Sequence, residues 1–283
     1  MKQLLSILAL MWGTLSLAQP YGNEWIDHSL TYYAIPVSQD GIYRITYSTL
    51  QSNGIPVGTI SPDDFMLFGK EKEQFIHVED GGDGTFDPGD YIEFYGEHND
   101  GWMDALVYED PIKPGNPEYS LYNDTLRYYL AWDAGSTHRR MPVETDLNFG
   151  AFTPIAFVWQ TAVVAYDNLY LQGFKVSGAS LSTYHEAEGW FSSGANAYSG
   201  TGQLNTTVNL SGALTGGSGP DAQVTAVSAS YSDAFPGQPN HHLELQYRYS
   251  GTQYTLVDTI FSGYQRNELS GTIPNNQLST NLQ

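Results

Sequence analysis

The sequence contains no cysteine. A chain without cysteine forms no disulfides, carries no cysteine-linked lipid anchor and has no thiolate to act as a nucleophile. The sequence also lacks the G-x-S-x-G serine elbow, the phosphate-binding G-x-x-x-x-G-K-[ST] loop and the H-E-x-x-H zinc helix. None of the common cysteine, serine, nucleotide or zinc-peptidase site patterns is therefore complete within these 283 residues.

Positive charge is scarce. Eleven Lys and Arg face thirty-one Asp and Glu, which gives a formal net charge of −20. Such a surface repels phosphate backbones and anionic lipid heads, so we expect no nucleic-acid partner. An acidic surface suits an exported protein, either through solubility alone or by collecting divalent cations.

Long apolar runs are missing as well, apart from a short one at the N-terminus. Lys2 precedes the apolar residues 4–12, and Ser16-Leu17-Ala18 has the small-x-small pattern of a cleavage site. The apolar run is too short to cross a bilayer. We therefore predict a signal peptide over residues 1–18, no direct membrane span, and export to the outer membrane surface or the extracellular space.

Tyrosine, glycine and proline are plentiful, a mixture that favours strands and tight turns over helices. Residues 31–37 and 42–47 flank Asp40-Gly41, which predicts a β-hairpin. Residues 65–68 and 75–78 predict a second strand pair. Further strand predictions fall at residues 91–95, 128–132, 152–166, 169–176, 223–231, 242–249 and 254–261.

Only one short helix is predicted, over residues 48–53, with Ser48 as its N-cap and Gly54 as its stop. The polar stretch 133–148 lacks periodicity and predicts a domain boundary. The fold class is therefore predicted to be all-β, with two successive β-sandwich or jelly-roll-like domains at residues 19–148 and 149–283. The residues before Gln283 carry no capping element, which predicts that the chain is the N-terminal part of a longer protein.

The densest polar cluster lies at residues 80–90. It contains Asp80, Asp83, Asp87 and Asp90 with glycines between them. Carboxylates interspersed with glycines can curl around a hard cation, which predicts a calcium site and calcium-dependent stability, although the spacing is not that of an EF-hand. The alternative is an acidic turn whose Asp side chains bond to nearby backbone amides.

Histidine and tryptophan give two weaker signals. His241 and His242 precede a predicted strand, and adjacent strand residues face opposite ways, which predicts one packed and one exposed ring rather than a shared metal. Exposed tryptophans bind sugar rings by stacking, although tryptophan commonly packs in a core. The candidates are Trp25, Trp102, Trp132, Trp159 and Trp190.

A series of motifs in the first half of the chain resembles a known family. The motifs are YYAIPV at 32–37, DGIYRI at 40–45, FMLFG at 65–69, GTFDPGDYIEFYG at 84–96 and NDGW at 99–102. Through them the chain resembles, over about residues 25–132 and more weakly at 184–191 and 240–243, the PorU-like, sortase-type branch of the gingipain cysteine peptidase family, from the type IX secretion system of Bacteroidota.

The resemblance implies a large exported protein with β-rich N-terminal domains ahead of a caspase-like domain that uses a Cys nucleophile and a His. Since this chain has no cysteine, that catalytic role cannot be assigned to any of its residues. We expect a non-catalytic β region whose partners are a downstream peptidase domain of the same polypeptide and outer-membrane secretion components. The parent would carry out proteolysis or sorting-signal cleavage at the cell surface. The alternative is a free-standing surface adhesion or carbohydrate-binding module.

Overall fold

The computed structural model describes residues 22–195, 202–233 and 237–283, so the predicted signal peptide lies outside the described residues. All pairings between the named strands are antiparallel, and helix in the described part is limited to one α-helix and short 3₁₀ turns. This confirms the predicted all-β class. Along the same described residues, no helix has both the length and the apolar character that a membrane crossing requires.

The chain divides into two compact units. The first comprises residues up to 98 together with 125–144, and the second comprises residues 99–124 together with 145–283. Residues 99–124 therefore belong to the second unit although they precede the last strand of the first.

The first unit contains two antiparallel sheets and the α-helix α1 (Tyr47–Ser52). The four-stranded sheet has the order β1-β7-β3-β4, and the three-stranded sheet has the order β2-β6-β5. The strands are β1 (Tyr33–Val37), β2 (Gly41–Thr46), β3 (Phe65–Gly69), β4 (Lys72–Glu73), β5 (Ile76–Glu79), β6 (Tyr91–Gly96) and β7 (Leu126–Trp132). Short 3₁₀ turns lie at Val57–Thr59 and Pro62–Asp64.

Side chains from both sheets of the first unit build one core. Strand β6 alternates buried with less buried residues, and Ile92 and Phe94 are fully buried on its inner face. Leu67 on β3 and Leu130 on β7 join them in the same cluster. This period of two is what a strand with one face in a core requires.

Both strand pairs predicted for this unit are wrong, although the strands themselves exist. β1 pairs with β7 and β2 pairs with β6, so the chain changes sheets between them. A two-residue hairpin turn through Asp40-Gly41 would need a positive φ at Gly41. Gly41 does not have a positive φ, and it is the first residue of β2. The Asp40-Gly41 signal therefore marks a turn between sheets.

The predicted pairing of residues 65–68 with residues 75–78 is wrong for a different reason. Lys70 and Glu71 both have positive φ, so β3 turns back tightly and pairs with the short β4. The chain then moves to the other sheet, where β5 pairs with β6. Gly69 closes β3 under Tyr128, and a Cβ there would lie 2.4 Å from the tyrosine ring.

The predicted helix is confirmed, but its N-cap is Thr46 rather than Ser48. The Thr46 hydroxyl accepts a hydrogen bond from the Thr49 amide at 3.2 Å, and Gly54 follows the helix with φ +80°. Thr46 can take this role because it has extended backbone angles at the end of β2, as an N-cap requires.

We expect Thr46→Ala to lower the free energy of unfolding of the first unit by about 1 kcal/mol, because it leaves the Thr49 amide without its capping oxygen. Ser48→Ala is the matched control, and we expect a much smaller loss from it. Urea unfolding followed by circular dichroism measures both. A larger loss from Ser48→Ala would place the cap where the sequence pattern had put it.

The second unit is built mainly from strand pairs. β13 pairs with β16, β14 with β15, β8 with β11, β9 with β10 and β12 with β17. The strands are β8 (Leu169–Gln172), β9 (Lys175–Val176), β10 (Ala179–Ser180), β11 (Glu188–Phe191), β12 (Val208–Asn209), β13 (Ala222–Ala229), β14 (His241–Tyr249), β15 (Thr252–Phe261), β16 (Arg266–Ile273) and β17 (Asn281–Leu282). Its 3₁₀ turns are Asp104–Val107, Phe149–Ala151 and Asn275–Gln277.

One predicted strand of this unit is absent. Residues 152–166 contain no strand, and nearly all of them are exposed. Their β-branched and aromatic composition favours extended structure, but a strand also needs a neighbour to satisfy its backbone hydrogen bonds. The described residues provide no such neighbour for this stretch.

Candidate functional site

The acidic turn at residues 80–90 uses most of its carboxylates to hold its own backbone. Asp80 accepts the amide of Gly82 at 3.0 Å, and Asp83 accepts both the amide and the hydroxyl of Thr85 at 2.9 and 2.7 Å. These hydrogen bonds, the one from the Thr85 hydroxyl first, lower the pKa of Asp83. The buried Asp90 accepts the amide of Asp87 at 2.6 Å.

These contacts are the ones expected of an acidic turn that stabilises itself. Asp80, Asp83, Asp87 and Asp90 do not supply three ligand atoms lying within 4.8 Å of one another, whereas another cluster in the described residues does. The calcium site at Asp80, Asp83, Asp87 and Asp90 stays a prediction. Thermal unfolding of the chain with calcium and with a chelator tests it, because an ion that binds the folded state raises the unfolding midpoint.

The other cluster consists of His242, Glu244 and Asp258 on the exposed side of β14 and β15. His241, on the opposite face, is half-buried and stacks on Phe261 with ring centroids 5.0 Å apart. The prediction of one packed and one exposed histidine is therefore confirmed. The sequence interpretation missed the cluster because it compared His242 with its neighbour rather than with Glu244, two residues on and on the same face.

A cavity of about 180 Å³ lies in the second unit. Aromatic and polar side chains line it together, a combination found in binding sites that orient a ligand as well as bury it. The principal lining residues are Asp100, Trp102, Asp104, Tyr108, Asn116 and Tyr119. Four of the five tryptophans considered for stacking contact another aromatic ring: Trp25, Trp132, Trp159 and Trp190. Trp159 is nevertheless 67% exposed, and Trp102 lines the cavity.

Buried hydrogen bonds hold the cavity wall in place. Asp104 accepts the Ser120 hydroxyl at 3.0 Å and the Leu121 amide at 2.6 Å. The Tyr108 hydroxyl donates to the Glu188 carbonyl oxygen at 2.8 Å. Buried hydrogen bonds whose partners are all satisfied favour a single arrangement of the wall.

We expect alkaline pH to loosen this wall. Burial, with a further contribution from the charge of Glu188, raises the pKa of Tyr108 to about 12. An unfolded tyrosine titrates near pH 10, so the stability contributed by the protonated phenol is fully present below about pH 10 and is lost as pH rises toward 12.

Near-UV circular dichroism across this pH range measures that loss. Tyr108→Phe is expected to make the alkaline transition shallower, because the replacement has no proton to lose. Tyr95→Phe, at a half-exposed position in the first unit, is expected to leave it unchanged. Equal transitions in the wild type and in Tyr108→Phe would show that this phenol plays no part.

A long exposed apolar stretch runs from residue 147 to residue 166, and we call it the uncharged segment. It contains no Asp, Glu, Lys or Arg, although the chain as a whole carries a net charge of −20. Most of its large apolar side chains face solvent, with Ile155 73% exposed and Trp159 67% exposed. The others are Leu147, Phe149, Phe152, Phe157, Val158, Val163 and Val164.

No protein-family model, no curated protein and no solved structure matches this chain. The resemblance to the gingipain family therefore rests on the motifs of the sequence alone.

Proposed function

We propose that this chain is the non-catalytic β region of an exported gingipain-like cysteine peptidase associated with type IX secretion. The motif series between residues 32 and 102 supports the family assignment, and the absence of cysteine supports a non-catalytic role. On this proposal each unit is a β-sandwich or jelly-roll-like domain, the first 18 residues are removed on export, and the parent carries out proteolysis or sorting-signal cleavage at the cell surface.

The uncharged segment is the observation that carries the proposal. Burying a large apolar side chain contributes about 1.5–3 kcal/mol, so a stretch with this many exposed ones gains free energy from any apolar surface that covers it. A large exposed apolar patch on a folded protein marks a site of interaction with a protein, a membrane or a ligand. The segment is also rich in β-branched and aromatic residues and lacks a partner strand within the described chain.

The occupant that we assign to this segment is the downstream peptidase domain of the same polypeptide. A permanent interface between parts of one chain tolerates an apolar, uncharged contact surface better than a transient one does. Tethering also keeps the effective concentration of the partner high, so no charge steering is needed for association.

Sequencing the codons after Gln283 and expressing the whole gene product tests the assignment. We expect the whole product to cleave peptides, a thiol-blocking reagent to abolish the cleavage, and the chain of residues 1–283 to show none. A reading frame that ends at Gln283, or cleavage by the chain alone, would contradict the proposal.

Carbohydrate binding is the second candidate function, and the cavity favours it. Trp102 is 36% exposed at the rim, where its ring can stack on a sugar. Its neighbours Asp100 and Asp104 carry carboxylate oxygens, each of which accepts more than one hydrogen bond. At about 180 Å³ the cavity is smaller than the ~300–1,000 Å³ typical of ligand pockets, so a single sugar ring is the expected ligand.

A glycan array tests this candidate. We expect Trp102→Ala to abolish binding and Trp159→Ala, which removes an exposed tryptophan outside the cavity, to preserve it. Failure of the wild-type chain to bind any glycan would dismiss carbohydrate binding.

A further inference from the structure

The β14–β15 hairpin brings one imidazole and two carboxylates together on its exposed face. His242 and Glu244 are two residues apart on β14, so their side chains lie on the same side. Asp258 on β15 is the register partner of Glu244. The His242 Nε2 atom forms a hydrogen bond with Asp258 Oδ1 at 2.7 Å and lies 3.6 Å from Glu244 Oε1.

A β-bulge creates this arrangement. The hairpin turns at Ser250 and Gly251, both with positive φ, and the register set by that turn would place Val257 opposite Glu244. The register shifts between Leu245 and Gln246, which moves Asp258 into the opposite position instead. A shift of one residue exchanges the two faces of a strand, so without the bulge the Asp258 carboxylate would be on the other side.

The cluster places two like charges opposite each other, an arrangement that destabilises a strand pair unless a cation lies between them. Glu244 is held in position on its far side, where Oε2 accepts hydrogen bonds from Gln246 Nε2 and from Thr255 Oγ1. That contact keeps Oε1 on the side of His242. All three residues are exposed, so an ion reaches them directly and water can complete its coordination.

We propose that His242, Glu244 and Asp258 form a binding site for a divalent first-row transition metal, with zinc as the ion to test. One imidazole nitrogen with two carboxylate oxygens is a donor set that zinc accepts, and three protein ligands leave a position for water. Calcium prefers oxygen donors alone, so this site is chemically distinct from the one predicted at residues 80–90. An ion bound here links two adjacent strands of the folded chain and stabilises the hairpin.

Isothermal titration of the chain with zinc chloride tests the proposal. We expect one zinc per chain, with His242→Ala weakening binding at least tenfold. His28→Ala is the matched control, because it removes an exposed imidazole from the first unit, and we expect it to bind zinc as tightly as the wild type. Calcium at the same concentration is expected not to displace the zinc.

Two further variants keep the test decisive if His242→Ala disturbs the fold. Glu244→Gln and Asp258→Asn preserve the shape of each side chain and remove its charge, and each is expected to weaken zinc binding at least tenfold while far-UV circular dichroism stays unchanged. Folded variants at these positions that bind zinc like the wild type would overturn the proposal. Displacement of the zinc by calcium would overturn the assigned class of metal.

Discussion

Replacing Phe94 by alanine is expected to lower the free energy of unfolding of the first unit by about 3–5 kcal/mol. Phe94 is 0% exposed at the centre of β6, where it stacks on Tyr43 and contacts Tyr128, with ring centroids 5.6 and 5.1 Å away. The substitution removes the aromatic ring from a core to which both sheets contribute, and neighbours fixed on strands collapse only partly into the space. Urea unfolding followed by near-UV circular dichroism measures the loss.

Tyr95→Ala is the matched control for this measurement. Tyr95 is the next residue on the same strand, but it faces the other way and is 50% exposed. We expect a loss of less than about 1 kcal/mol, as is usual away from a core. If both variants lost equal stability, the inward and outward faces of β6 would have been assigned wrongly.

The second large effect concerns the uncharged segment in the whole gene product. If the segment docks as proposed, the double variant Ile155→Asp and Trp159→Asp is expected to weaken that docking by about 2 kcal/mol or more, because buried carboxylates without partners are costly. That loss corresponds to roughly a 30-fold increase in the open population. An added protease should therefore cut within residues 147–166 correspondingly faster.

The free chain should not respond in the same way. Both residues are exposed in it, so the double variant is expected to unfold in urea at the same midpoint as the wild type. Val143→Asp, at a 77% exposed position just before the segment, is the control and should leave cleavage of the whole product unchanged. Equal cleavage rates for the double variant and the wild type would show that nothing docks on the segment.

Local features of the fold could be predicted from the sequence because neighbouring residues determine them. The strand predicted at residues 42–47 corresponds to β2, and the pattern around residues 48–53 identified the only α-helix of the described chain. Strand pairing could not be predicted in this way. β1 pairs with β7, far along the chain, and a turn signal such as Asp40-Gly41 carries no information about such a partner.

The candidate sites, like the strand pairings, depend on contacts between residues that are distant in the sequence. His242 and Glu244 share a face by spacing alone, which the sequence displays, but Asp258 joins them only because of the bulge near Leu245. The cavity likewise depends on contacts such as that of Tyr108 with Glu188, two residues that are distant in sequence. Residues 152–166 of the uncharged segment were predicted to form a strand because they are β-prone, but the described residues give them no partner strand.

Hydrogen exchange of residues 147–166 tests the central claim most directly. The measurement compares the chain of residues 1–283 with the whole gene product under the same conditions. In the free chain we expect fast exchange, because the segment is exposed and contains no strand. In the whole product the proposal predicts strong protection, since it places the peptidase domain over the segment. Equally fast exchange in both proteins would contradict the account.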